Sequence, residues 1–268
     1  MSIHPSAVVS PKAIIGAEVT IGPFAIIEKD TEIGDHCVIE GAVQVRAGSR
    51  IGTGTFVGAG SIIGSDPQFR GFDPRIPSGT ILGERNVLRE YVTFHRSVTE
   101  GGNTIVGDGN YLMAGSHIGH DSIVGNENTL ANNVLLGGHV ILGNQCFIGG
   151  GSAFHQFVRI GDHVMCQGNS GFSQDLPPFV VGADINTVVG INVVGLKRAG
   201  YSPEDRKEIK SAFREIYHSP RTLESILQEV GDQALSKPLQ KFYQFFREKS
   251  KKGVCVRTSR RREKLKIS

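Results

Sequence analysis

The chain has 268 residues, 39% of them apolar and 21% charged, and a net charge of +3, which suits a globular protein of one large domain or two small ones. It holds no run of about 18 apolar residues and no basic start followed by an apolar segment, so we expect neither a transmembrane helix nor a signal peptide. Four cysteines without metal-type spacing argue against a disulfide framework and favour a cytoplasmic protein.

The N-terminal part of the chain repeats with a period of six. Every sixth residue from Ile3 to Ile63 is Ile or Val, which an α-helix with its period of about 3.6 residues does not explain. The eleven positions are Ile3, Val9, Ile15, Ile21, Ile27, Ile33, Ile39, Val45, Ile51, Val57 and Ile63. Residues 64–81, with three Pro and little pattern, then predict a loop insertion.

The period resumes at Leu82, shifted by one residue, and continues to Phe172 with a single exception at Glu100. The residue after each apolar position is often Gly, and the fourth residue after it is usually small or β-branched. This hexapeptide pattern predicts a parallel β-helix, in which each hexad forms a short strand and a turn and about 18 residues close one triangular coil. Three cysteines fall at inward positions and are predicted core residues: Cys37, Cys146 and Cys166. The pattern resembles the left-handed β-helix of the hexapeptide-repeat acyltransferases.

The repeat fades after Phe172, so we divide the chain into a mainly β domain and a small helical one. Ser202, an N-cap residue followed by Pro203, predicts the start of the first of three helices. The predicted boundaries are 1–185 for the β-helix, 186–200 for a connecting segment, 201–250 for the helical domain and 251–268 for a basic, disordered tail.

Histidines mark the candidate site. Eighteen residues after His120 is position 138, beside His139, and eighteen further is position 156, beside His155. The three histidines therefore lie within one position of a common column that is about 10 Å long over three coils. None occupies an inward position, so we expect them to point outward. A second surface is then needed to form a pocket, and a cyclic homotrimer supplies one.

Three interpretations of this column remain open. Histidines from two subunits can bind a zinc-like ion, as in the gamma-class carbonic anhydrases of the same fold. Alternatively, His120 removes a proton from a hydroxyl group while Asp121 orients its ring. In the third interpretation, the histidines only form hydrogen bonds across a subunit interface.

Longer strings of sequence add a family resemblance. They are GERN at 83–86, REYVTFHR at 89–96, HIGHD at 117–121, LANN at 130–133, GGHV at 137–140, HQF at 155–157, QDLPP at 174–178, and Asn192 with GLKR at 195–198. In these strings the chain resembles the UDP-N-acetylglucosamine 3-O-acyltransferase family over nearly its full length. The resemblance implies transfer of a (3R)-3-hydroxyacyl chain from acyl carrier protein to the 3-hydroxyl of the UDP-sugar, the first step of lipid A biosynthesis, without a cofactor or a metal.

The resemblance also implies roles for individual residues. His120 is the general base, Asp121 fixes the tautomer of the His120 ring, and the N–H of Gly138 stabilises the oxyanion. Gly168 matches the position that limits acyl length. Contacts with the donor or the sugar are implied for His139, His155 and Gln156. Contacts with the uridine diphosphate are implied for Asn192 and Arg198. His117 contacts the sugar or, alternatively, has a structural role. His95 is expected to lie outside the column and to pack at an interface.

The chain departs from the family at the acceptor end. Arg70 stands where the family has a substrate-binding Lys in the insertion loop, and the Asp expected after Gln68 is absent. Val194 replaces an acidic residue, Ala199 replaces an Arg, and a His is missing near Ile185. These changes leave open a modified acceptor, such as a 3-amino sugar nucleotide.

The charge distribution gives the last partner predictions. Residues 251–268 carry eight Lys and Arg against one Glu, so the rest of the chain is mildly acidic. A solvated, disordered end is one interpretation of this tail, and attraction to acidic acyl carrier protein or to anionic lipid is the other. Neither nucleic-acid binding nor stable membrane insertion is expected.

Overall fold

The computed structural model describes residues 1–231, 234–255 and 257–258, with side chains through Cys255. Its strands are short, and most of them have two residues. In chain order they are β1 Ser2–Ile3, β2 Val8–Val9, β3 Ile14–Ile15, β4 Thr20–Ile21, β5 Ile26–Ile27, β6 Glu32–Ile33, β7 Val38–Ile39, β8 Gln44–Val45, β9 Ser49–Ile51, β10 Phe56–Val57, β11 Ile62–Ser65, β12 Gly79–Leu82, β13 Val87–Leu88, β14 Thr93–His95, β15 Asn103–Val106, β16 Tyr111–Leu112, β17 His117–Ile118, β18 Ile123–Val124, β19 Thr129–Leu130, β20 Leu135–Leu136, β21 Ile141–Leu142, β22 Phe147–Ile148, β23 Ala153–Phe154, β24 Arg159–Ile160, β25 Met165–Cys166, β26 Gly171–Phe172, β27 Val180–Ala183, β28 Thr187–Ile191 and β29 Arg257–Thr258.

The strands form three sheets around one axis. The first sheet has the order β1-β4-β7-β10-β13-β16-β19-β22-β25-β27-β28-β29, the second β2-β5-β8-β11-β14-β17-β20-β23-β26, and the third β24-β21-β18-β15-β12-β9-β6-β3. Pairing between coils is parallel, and most pairs join residues 18 apart, as Val8 with Ile26. Each strand therefore lies on the strand one coil below it. The predicted mainly β fold, a left-handed β-helix with a small helical C-terminal part, is confirmed.

The interior of the prism is a continuous apolar column. From Ile21 to Phe172 the inward residues of the hexads are buried, apart from Glu100 in a loop. The rings of Phe154 and Phe172 stack inside with centroids 5.4 Å apart. All four cysteines are buried and free, and the three predicted core cysteines lie in this column. The core therefore depends on the same period that defines the strands.

One corner of the prism carries the central residues of the predicted site. Its turn residues stack on successive coils, since the N–H of His139 donates to His120 O at 2.8 Å and the N–H of Phe157 donates to Gly138 O at 3.1 Å. The second residue of each turn, Asp121, His139 or Phe157, has a left-handed backbone with φ of 59°, 58° and 69°. We call this corner, residues 120–121, 138–139 and 156–157, the histidine edge.

Two loops leave the coil, one between β11 and β12 and the other between β14 and β15. The first is shorter than the predicted insertion at 64–81, because β11 continues to Ser65 and β12 already begins at Gly79. The strands are longer here because β12 pairs over four residues with β15. Arg96 holds the loop against the prism, and its guanidinium donates to Ile76 O at 2.6 Å.

The connecting segment predicted over 186–200 has regular secondary structure. There β28 forms an antiparallel hairpin with β27 and is followed by a short helix. The helices are α1 Val193–Arg198, α2 Pro203–His218, α3 Leu223–Val230 and α4 Lys237–Arg247. The predicted helix start is confirmed, because Ser202 Oγ accepts from the N–H of Asp205 at 3.0 Å. Within the described ranges, no helix is long and apolar enough to cross a membrane.

The C-terminal tail, predicted to be disordered from residue 251, is ordered in its first part. Its strand β29 pairs with β28 at the edge of the first sheet. Cys255 is buried, its N–H donates to Asp175 O at 2.8 Å, and its carbonyl accepts from Tyr217 Oη at 2.7 Å. The prediction was wrong here because an open strand edge offers hydrogen bonds that the basic composition of the tail does not reveal. The rest of the tail lies outside the described residues.

Candidate active site

The centre of the histidine edge is a histidine–aspartate pair. His120 and Asp121 form the turn between β17 and β18, and His120 Nδ1 lies 2.7 Å from Asp121 Oδ2. Both side chains are largely buried, with 13% and 12% of their surfaces exposed. An ionised carboxylate only accepts hydrogen bonds, so Nδ1 carries a proton, and in the neutral ring Nε2 is the nitrogen with the lone pair. This is the arrangement that a general base needs.

Asp121 is held in turn by the loop that follows β14. Ser97 Oγ donates to its Oδ1, and the N–H of Val98 donates to its Oδ2 at 3.1 Å. Burial alone raises the pKa of Asp121, but the hydrogen bonds from Ser97, His120 and Val98 outweigh burial and bring the pKa below its ordinary value. The carboxylate is therefore ionised at neutral pH and fixes the tautomer of His120.

Gly138 lies one coil further along, directly against the His120 ring. A Cβ atom at Gly138 would lie 2.5 Å from His120 Nε2 and 2.6 Å from its Cε1, so the ring leaves room only for glycine. Among the described residues, the N–H of Gly138 donates no hydrogen bond. A free backbone donor beside the free ring nitrogen is placed to stabilise negative charge on an oxygen that reacts there.

His139 continues the edge beyond the pair. Its ring meets the His120 ring edge-on with centroids 5.1 Å apart, and its Nε2 lies 3.9 Å from Asp121 Oδ2. The ring also stacks on Phe157 at 4.5 Å, with the two planes only 8° apart. Burial lowers the pKa of His139, and the charge of Asp121 partly opposes this shift. The neutral ring can therefore exchange hydrogen bonds with a substrate at neutral pH.

His155 and Gln156 are exposed at the far end of the edge. The structure brings His120 and His139 together as expected, but Phe157 takes the place expected for His155. The reason is the register, because the residue 18 positions after His139 is Phe157. His155 Nδ1 instead lies 3.3 Å from Gln156 O. Phe157 is thus a site residue that the prediction missed, although the step of 18 already pointed to it.

Two further histidines pack on the other side of the pair. His117 Nδ1 lies 2.9 Å from Thr93 Oγ1, and the centroids of the His117 and His95 rings are 5.0 Å apart. His95 is 6% exposed, its Nδ1 donates to Asp66 O at 2.7 Å, and its Nε2 has no partner within the described residues. The expectation that His95 lies away from the column is wrong. The loop after β14 lengthens this coil, so that Thr93 pairs with His117 in the next coil. His95 therefore lies next to the His117 ring, close to the histidine edge.

The burial of His117 makes a measurable prediction. Desolvation, followed by the neighbouring His95 and His120, lowers the pKa of His117 from 6.5 to about 4. Since the unfolded chain binds this proton more readily, the free energy of unfolding should fall between pH 6.5 and pH 4, by on the order of 3 kcal/mol from this residue. NMR titration should find a pKa near 4, and His117→Gln should remove this part of the pH dependence. A ring that titrates near 6.5 would contradict the buried geometry.

The remaining predicted site residues do not reach the edge within one chain. Arg70 is exposed on the insertion loop, and Gly168 belongs to another corner of the prism. Asn192 caps α1, where its Oδ1 accepts from a backbone N–H at 2.9 Å. Arg198 is exposed at the end of the same helix. Within the described residues, none of these four contacts His120.

A metal ion is the alternative use of these groups. One ligand atom each from His120, Asp121 and His139 lies within 4.8 Å of the others. However, Nδ1 of His120 is already bonded to the carboxylate, and both carboxylate oxygens accept hydrogen bonds from Ser97 and Val98. A metal on the carboxylate would have to displace these contacts. The geometry therefore fits the acid–base interpretation better.

Comparisons of the sequence with known proteins agree with this geometry. The family model for UDP N-acetylglucosamine O-acyltransferase, domain 2, matches residues 175–255, and the bacterial transferase hexapeptide model matches residues 103–138. An acyl-[acyl-carrier-protein]–UDP-N-acetylglucosamine O-acyltransferase of Halorhodospira halophila is 40% identical over 233 residues, which cover 86% of this chain and 90% of that protein.

Solved structures of related enzymes share the whole fold. The UDP-N-acetylglucosamine acyltransferase of Bacteroides fragilis is 36% identical, with a TM-score of 0.89 over 94% of this chain and 99% of that chain. The Arabidopsis enzyme of the same name is 30% identical, with a TM-score of 0.84 over 94% and 99% of the two chains.

A hexapeptide β-helix whose outer corner holds a histidine–aspartate pair against a free glycine amide defines an acyltransferase of the hexapeptide-repeat class. The chain belongs to the UDP-N-acetylglucosamine O-acyltransferase family. The family resemblance of the sequence strings is therefore confirmed.

Proposed function

We propose that this protein transfers a 3-hydroxyacyl chain from acyl carrier protein to the 3-hydroxyl of UDP-N-acetylglucosamine, as the first step of lipid A biosynthesis. The proposal depends mainly on the His120–Asp121 pair, whose free Nε2 lies against Gly138. The Halorhodospira halophila relative is named for the same donor and acceptor. The four free, buried cysteines suit a reducing cytoplasm, which is the proposed location.

The reaction follows from the groups at the edge. Nε2 of His120 takes the proton of the sugar hydroxyl as the oxygen attacks the thioester carbonyl, and Asp121 stabilises the imidazolium that forms. The carbonyl oxygen becomes an oxyanion and accepts a hydrogen bond from the Gly138 N–H. The carbon–sulfur bond then breaks, and the imidazolium returns the proton to the leaving thiolate. The ester, the free thiol of the carrier and neutral His120 are the products.

An assay of purified protein tests this function. Acyl-carrier-protein thioesters of several chain lengths are incubated with UDP-N-acetylglucosamine and with its 3-amino analogue, and the products are identified by mass spectrometry. We expect an ester at the 3-position. Preference for the amino analogue would assign the modified acceptor to the changes around Arg70 and Val194. Absence of acyl transfer to any sugar nucleotide would refute the proposed function.

Chelation separates the acid–base interpretation from the metal one. Because His120 and Asp121 are already bonded to each other, acyl transfer should be unchanged after treatment with a strong chelator and dialysis. Loss of activity that added zinc restores would instead assign the ligand set of His120, Asp121 and His139 to a metal.

The proposed active form is a homotrimer with sites between subunits. Apolar side chains flank the histidine edge on both faces, where Ile123, Leu135 and Ile141 are 47%, 46% and 44% exposed. A partner subunit covers such surface favourably. Native mass spectrometry should find three chains per particle. Refolding a mixture of His120→Ala and Arg198→Ala chains should restore part of the activity, whereas separate sites in each chain would leave the mixture inactive.

A further inference from the structure

The histidine edge continues into the C-terminal segment. The ammonium group of Lys251 lies 4.5 Å from the ring centroid of Phe157, and that of Lys252 lies 5.9 Å from the same centroid. Phe157 stacks in turn on His139, whose ring meets that of His120. Two cations therefore lie at the end of the ring stack that begins at the candidate base.

The backbone around the two lysines is held by one hydrogen bond within the segment and one from the β-helix exit. The N–H of Lys252 donates to Ser250 Oγ at 3.1 Å, and Gly253 O accepts from the N–H of Asp175 at 2.8 Å. Cys255 is buried just beyond. The lysines therefore belong to a docked segment with a defined place at the edge.

Neither ammonium group has an acidic partner. Within the part of the chain that the structure describes, no carboxylate lies within 4.0 Å of the Lys251 or Lys252 nitrogen. Two like charges above one ring repel each other, and an anion bound between them removes this repulsion. Burial lowers the pKa of the adjacent His139, and the charge of Lys251 adds to that shift, so the field of Lys251 reaches the site.

We propose that Lys251 and Lys252 bind a phosphate group of a substrate while the reacting end of that substrate lies at His120. The inference rests on the proposed function, in which both substrates carry phosphate. The donor has a phosphodiester between its pantetheine arm and the carrier protein, and the acceptor has a diphosphate. Ammonium groups form charge-assisted hydrogen bonds with phosphate oxygens, which are stronger than neutral ones.

The test compares the kinetics of a Lys251→Gln/Lys252→Gln double variant with those of the natural protein. Donors are the acyl-carrier-protein thioester, acyl-phosphopantetheine and acyl-pantetheine, which lacks phosphate, and the acceptor is UDP-N-acetylglucosamine. We expect KM for the phosphate-bearing substrate to rise about tenfold with kcat unchanged, and the difference to shrink at high salt. A rise in KM for both phosphate-bearing donors, but not for acyl-pantetheine, identifies the donor phosphate as the group that the lysines bind. A rise in KM for the UDP-sugar identifies its diphosphate instead.

Two control variants accompany this measurement. Lys249→Gln removes an exposed lysine of the same segment and should leave every KM unchanged, and Lys251→Arg/Lys252→Arg keeps the charges and should stay near the natural values. Unchanged KM values in the Gln double variant would overturn the inference. A rise with the carrier-protein donor alone would also overturn it, because the lysines would then bind the protein surface. Absence of acyl transfer by the natural protein would instead be a failure of the proposed function.

Discussion

The His120→Ala variant is expected to lose nearly all acyl transfer and to keep its fold. A sugar hydroxyl is a weak nucleophile at neutral pH, and Nε2 of His120 is the ring nitrogen left free beside Gly138. Loss of a positioned general base lowers kcat by roughly 10²–10⁴-fold, so we expect a fall of about a thousandfold. Steady-state kinetics with the acyl-carrier-protein thioester measure the fall in kcat, and circular dichroism and native mass spectrometry check the fold.

A second histidine provides the matched control for this variant. His36 also occupies a turn of the β-helix and has a left-handed backbone, but it is exposed, and its ring pairs with Glu18 at 3.0 Å. His36→Ala should keep the natural kcat. If His120→Ala retains more than about a tenth of the natural kcat, the fall in kcat is smaller than loss of a general base produces, and the base lies elsewhere.

The Gly138→Ala variant should be nearly as damaging, although it adds only one methyl group. Its Cβ would lie 2.5 Å from His120 Nε2, so the ring must move away from the position in which Asp121 holds it. The displaced ring and the covered amide both affect the transition state, and loss of one oxyanion donor alone lowers kcat by about 10²–10³-fold. We expect kcat to fall at least about a hundredfold, while the melting temperature changes little.

Gly41→Ala is the control for the added methyl group. Gly41 occupies the equivalent turn position on a coil near the N-terminus, where the nearest neighbours of a Cβ would be Pro23 O at 3.2 Å and Pro23 Cγ at 3.4 Å, with no histidine ring among them. This variant should remain fully active. A Gly138→Ala enzyme with natural kcat would show that neither the ring position nor the Gly138 amide is needed for the reaction.

Most of the fold can be predicted from the sequence, because the contacts of a β-helix repeat at one fixed separation along the chain. An inward residue at every sixth position allows only one register between coils, and the resulting step of 18 residues places Gly138 and His139 over the turn of His120 and Asp121. The helix start at Ser202 is also a local signal. Period and capping thus predict both the architecture and the centre of the candidate site.

Contacts between segments at no fixed separation were decided only by the tertiary structure. The loop after β14 folds back so that Ser97 and Val98 hold Asp121, and its extra length moves His95 beneath the edge. The C-terminal segment docks as a strand and carries Lys251 to Phe157. No period or cap encodes these contacts, because loop and tail positions depend on which edges and surfaces the finished prism leaves open.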